Sequence, residues 1–154
     1  MEILNAIRKR TLISGKNLEI SVSGYSMQPL INDGDMILLT YSPKYVVGDV
    51  IVFEYEGNIL VHRILKIDNG YVCCKGDNSF RLEKVAFSEI IGKVESVNGE
   101  KLNPISIELI NLSYCIGCDF ENNKSIEKTK KQGNYKKYQE LMEHKKVNCK
   151  GSIV

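Results

Sequence analysis

Val50-Ile51-Val52-Phe53-Glu54-Tyr55-Glu56-Gly57-Asn58-Ile59-Leu60-Val61-His62-Arg63-Ile64-Leu65-Lys66-Ile67 consists of two apolar, β-branched runs flanking a short polar turn. Such runs favour strands, and Glu56-Gly57-Asn58 between them predicts a hairpin with a three-residue loop. Asp68-Asn69-Gly70 is a second hairpin signal, since Asn and Gly tolerate positive φ. Tyr71–Lys75 is then the returning strand, ending at Gly76-Asp77-Asn78. On the N-terminal side, Leu18–Val22 alternates apolar and polar, as a half-buried strand does. Met36–Tyr41 is a strand opened by the tight turn Asn32-Asp33-Gly34-Asp35, and Ser42-Pro43 and Gly48-Asp49 punctuate the next connection. On the C-terminal side, Ile90–Val97 is a strand closed by Asn98-Gly99. Short strands with turn signals every ~8–12 residues predict a mainly β fold, a small barrel or coiled sheet.

The flanks differ in kind. Apolar residues at 3, 4, 7, 12 and 13 predict a short amphipathic N-terminal helix ending near Ser14-Gly15. Ile105–Tyr114 fits either a helix or a strand. From Glu121 onward Lys and Asn dominate, and Tyr135–Lys146 fits a basic helix or a loose tail. The expected organisation is an N-terminal helix over 1–17, a core domain over 18–102 and a C-terminal extension over 103–154. At 154 residues the chain can bury a core without staples. Its net charge of +2 hides an asymmetry. Residues 1–120 carry 12 Lys and Arg against 15 Asp and Glu, and residues 121–154 carry 9 against 4.

Met1–Ser14 mixes Arg8, Lys9 and Arg10 into its apolar positions, so it does not read as a secretory signal. The longest charge-free apolar candidate, Leu109–Cys118, falls far short of the ~18 residues a membrane span needs. A cytoplasmic or peripheral membrane location is expected. Of the 5 cysteines, Cys73 and Cys74 are adjacent on a strand and point to opposite faces, which disfavours a bridge. Cys115-Ile116-Gly117-Cys118 has a spacing suited to redox chemistry or half a zinc site. A second ligand pair would have to come from His144 and Cys149. Ordinary residues in a reducing compartment are the expected reading, with no metal or other cofactor.

Ser26 stands out for its neighbours. Gly24 permits unusual backbone angles, Met27 can anchor in a core and Pro29 stiffens the exit, so the serine can be held rigid and exposed. In isolation a turn serine bonded to its own backbone would look the same. The ordered blocks Gly24-Tyr25-Ser26-Met27-Gln28-Pro29, Asp33-Gly34-Asp35, Gly48-Asp49-Val50-Ile51-Val52-Phe53, Val61-His62-Arg63-Ile64 and Lys75-Gly76-Asp77-Asn78 resemble the signal peptidase I family and its LexA-like relatives. The resemblance covers roughly Leu18 to Val97 and implies the small coiled β-sheet barrel of those proteins.

The resemblance also implies roles. Ser26 matches the family's nucleophile and His62 its general base. Most bacterial and LexA-like members have lysine at the position of His62, so this chain is similar to the Ser–His signal peptidases of archaea, the endoplasmic reticulum and some spore formers. Asp77 matches the acidic residue that would orient the imidazole. Glu83 stands where histidine members often carry a second Asp, and is a supporting candidate. For the oxyanion, the Ser26 N–H is the expected first donor. Many relatives add a serine hydroxyl two residues earlier, but here Gly24 holds that position and Ser23 precedes it. The implied activity is a serine endopeptidase cleaving a peptide or preprotein after small residues. The amphipathic start and basic tail leave two settings open, contact with a membrane surface or action in the cytosol, and no nucleic-acid partner is expected.

Two other classes fit the sequence less well. A LexA-like self-cleaving regulator needs a lysine base, a helix-turn-helix and an Ala-Gly or Cys-Gly bond, none of which is present. A non-catalytic β-barrel module binding acidic partners through its basic tail fits poorly with an acidic body.

Overall fold

A computed structural model describes the backbone of residues 2–151 and the side chains of 4–145. Ile3 and Cys149, assigned above to the helix face and to a potential zinc pair, have side chains outside the described residues. The chain divides into two compact units, residues 1–104 and 105–154.

The first unit is one antiparallel sheet curled into half a barrel, with a helix before it. Helix α1 spans Glu2–Ile13, and the strands are β1 Leu18–Ser21, β2 Met36–Thr40, β3 Val50–Tyr55, β4 Asn58–Asp68, β5 Tyr71–Lys75, β6 Glu83–Ala86, β7 Ile90–Val97 and β8 Glu100–Lys101. They lie in the order β1-β2-β7-β3-β4-β5-β6, with β8 paired to β7. Strand β3 explains its own sequence. Val50 and Val52 enter one apolar cluster with Leu12, Met27, Ile31, Ile37, Leu39, Ile91 and Val94. Ile51 and Phe53 enter another with Ile64, Val72, Cys74, Val85 and Ile90. A strand covered on both faces must be apolar throughout, which is why this run does not alternate.

The β3–β4 turn is tighter than the sequence suggests. Tyr55 pairs with Asn58, leaving Glu56 and Gly57 as a two-residue loop in place of the expected three. Both have positive φ, +49° and +78°, as a hairpin turn matched to strand twist requires. Strand β6 was not foreseen. Its inward positions are Glu83 and Val85, and a buried carboxylate breaks the apolar alternation by which strands are recognised.

The second unit holds α2 Ile107–Asn123, α3 Ile126–Lys130 and α4 Gly133–Gly151. Ser106 decides the ambiguity at 105–114 in favour of a helix, its side chain accepting from the Leu109 N–H at 3.2 Å as an N-cap. Cys115 and Cys118 are half-buried free thiols one helical turn apart on α2, and burial raises the Cys115 thiol. Among the described residues no helix is long and apolar enough to cross a membrane.

Candidate active site

The turn carrying Ser26 is built by its neighbours. Gly24 adopts φ +101°, which a side chain would strain, and its N–H donates to Asp33 Oδ1 at 2.9 Å. The chain then winds through Gln28 N–H to Tyr25 O (3.3 Å) and Ile31 N–H to Met27 O (3.0 Å). Met27 and Ile31 are 3% and 1% exposed, so this turn is pinned into the first apolar cluster. Burying Met27 contributes about 1.5–3 kcal/mol. Ser26 itself remains half-buried, beside the exposed Tyr25.

His62 comes from the middle of β4, opposite Ile51 in β3, and is 4% exposed. Its Nε2 lies 3.0 Å from Ser26 Oγ. Its Nδ1 lies 3.0 Å from Oε1 of Glu83, which is 2% exposed on β6. That second contact is close but off the line of an ideal hydrogen bond, and Glu83 Oε2 has no hydrogen-bond partner among the described residues. Phe53 meets the imidazole edge-on with ring centroids 6.0 Å apart, which limits its rotation. Burial pushes the nearby Cys74 thiol up, with Glu83 adding to the effect, so the neighbour of this pair stays neutral.

The Asp77 carboxylate, expected behind the imidazole, is engaged by the neighbouring guanidinium of Arg63. Its Oδ1 and Oδ2 accept from Arg63 Nε and Nη2 at 2.9 and 2.8 Å. Arg63 Nη1 also donates to Gly48 O at 2.8 Å. Successive strand residues point to opposite faces, so His62 and Arg63 cannot share a carboxylate. His62 faces the cluster of Phe53 and Val85, and from that side the inward residue of β6 is Glu83.

The turn at 76–79 rests against the serine. Asn78 donates through its N–H to Ser26 O (2.8 Å) and through Nδ2 to Tyr25 O (3.0 Å). The Asp77 N–H approaches Met27 Sδ at 3.3 Å. Gly76 is there by necessity, because a Cβ would sit 2.5 Å from Ser26 O and 3.0 Å from His62 Nε2.

Of the oxyanion candidates, Gly24 has committed its N–H to Asp33, and Ser23 is exposed. The structure thus brings Ser26, His62 and Glu83 together at one point and sets the Asp77 carboxylate on Arg63. Arg63 and Phe53, which touch Asp77 and His62, were missed as neighbours of the site. Only the adjacency of Arg63 to His62 could have signalled the ion pair.

A family model described as Peptidase S24-like matches residues 6–95. No curated protein matches the chain. The matched span runs from α1 into β7 and holds Ser26, His62, Arg63, Asp77 and Glu83. The chain belongs to the Peptidase S24-like family.

Proposed function

We propose that the protein is a serine endopeptidase of signal-peptidase-like type, working through Ser26, His62 and Glu83. The observation that carries this reading is the 3.0 Å contact between Ser26 Oγ and His62 Nε2, with Glu83 on the other ring nitrogen. In this mechanism Nε2 takes the hydroxyl proton as Oγ attacks the scissile carbonyl. Glu83 holds the tautomer with hydrogen on Nδ1 and stabilises the imidazolium as it forms. The tetrahedral oxyanion accepts from the Ser26 N–H. His62 then returns the proton to the leaving amine, and water repeats the sequence on the acyl-enzyme. Asp77 serves through Arg63 and the turn, not through the imidazole.

The substrate in this reading is a peptide or preprotein held extended and cut after a small residue, as at Ala-x-Ala. Contact with a membrane surface belongs to the same proposal. Leu4 and Ile7 are 52% and 55% exposed on α1, beside the exposed Arg10. Co-sedimentation with anionic vesicles tests it, and protein left in the supernatant would remove this part.

Cleavage of an Ala-x-Ala peptide panel by wild type, Ser26→Ala and His62→Ala tests the mechanism. Both variants are expected to lose at least about 10³-fold in kcat. Equal cleavage by all three would sink it. Incubation of the pure chain at raised pH gives two fragments only if self-cleavage is the true activity.

A further inference from the structure

Lys75 ends β5 opposite Arg63 in register and is only 1% exposed. Burying an ammonium is costly without compensation, and an apolar side chain could fill the same slot. Its Nζ donates to Gly76 O at 2.7 Å and to Ser79 O at 2.8 Å. Those carbonyls bracket the turn, which Ser79 closes by returning its N–H and Oγ to Gly76 O at 3.0 and 3.2 Å. The same turn binds Ser26 O and Tyr25 O through Asn78 and packs Gly76 against His62. A shift of the turn therefore changes the separation of nucleophile and base.

We propose that Lys75 is a positioning residue for the Ser26–His62 pair, clamping from inside the turn on which both rest and balancing the charge around them. This deepens the peptidase reading and rests on it. The charged groups facing the ammonium are Asp77 in the turn, Glu83 on β6 and Arg63 on β4. Burial lowers Lys75 to about 8, against the opposite pull of Asp77 and Glu83. Removing its charge leaves Glu83 less compensated, so the imidazole beside Glu83 holds its proton to higher pH. A side chain that only filled space would not move that titration.

The chain has 2 histidines, His62 and His144, so ring NMR signals can be followed without substrate. In the full chain, Lys75→Met is expected to keep its circular dichroism and lose about 10²-fold in kcat on an Ala-x-Ala peptide at unchanged KM. The His62 titration should move to higher pH, and Lys75→Arg should bring it back towards wild type. In wild type, the His62 ring signals should show a second inflection near pH 8 as Lys75 loses its proton. A Lys75→Met titration superimposable on wild type overturns the proposal. If that variant does not fold, a single wild-type inflection overturns it alone. Should wild type cleave no peptide, the peptidase reading fails while the ring titration still decides the role of Lys75.

Discussion

At the scale of single residues, two buried carboxylates do different work, and substitution separates them. Glu83→Gln preserves shape but presents an amide that can donate to Nδ1, forcing hydrogen onto Nε2, where a base must be free. The expected loss in kcat is up to about 10⁴-fold with little change in stability, read by steady-state kinetics beside urea unfolding. Asp77→Ala has the opposite signature. It removes the carboxylate that pairs with Arg63, 2% exposed, and should cost about 3–5 kcal/mol in urea unfolding. Reversed signatures would exchange the two roles.

Lys75 adds a pH term of definite sign. Its folded value lies near 8 against 10.5 for a free lysine, so between these the unfolded chain holds a proton that the folded chain has released. Stability from this group therefore rises as pH climbs from about 8 to 10.5. The wild-type minus Lys75→Met difference in unfolding free energy should climb across that window, and a flat difference contradicts it. In the sequence, Ser26 and His62 were legible because their blocks are local. The partner of His62 was not, because alternation along β4 decides which carboxylate it meets, and the family-matched Asp77 lay nearer in sequence.

At the scale of elements, the β3–β4 hairpin was legible from its apolar runs, and its loop was misjudged by one residue. Asn58 looked like a turn residue, yet it pairs with Tyr55, and Glu56 takes the positive φ instead. Gly57→Ala should therefore destabilise by about 1–2 kcal/mol, measured by thermal unfolding, while leaving the Ser26–His62 contact intact. No change would contradict the left-handed backbone there. Strand β6 stayed hidden for a chemical reason: the residue that would signal burial is Glu83, a carboxylate buried where an apolar side chain is expected. Where apolar patterning fails inside a sheet, a functional group is a reasonable suspect.

At the scale of the whole molecule, both apolar clusters lie within residues 1–104, and the packed partners of the first extend no further than Leu102. The helices α2, α3 and α4 pack among themselves, with Lys137 and Glu108 in a surface ion pair at 3.2 Å. Residues 1–104 expressed alone are expected to unfold in one cooperative step and to reproduce the His62 ring titration. A molten truncation would show that the first unit depends on the second. The sheet order was beyond reach of the sequence, because β7 inserts between β2 and β3 although three strands separate it from β3 along the chain. Nothing in the composition of Ile90–Val97 announces that long-range pairing.

The placement of His62 and Arg63 side by side has a consequence for how this chain can change in length. One residue added or removed on the N-terminal side of the pair within β4 would turn the imidazole towards Asp77 and the guanidinium towards Glu83. The imidazole would lose contact with Ser26, and the Arg63–Asp77 ion pair and the His62–Glu83 contact would break in the same step. Two residues would restore every side chain to its face. Insertions and deletions in this strand are thus tolerated by parity, and even-numbered changes should dominate among functional length variants.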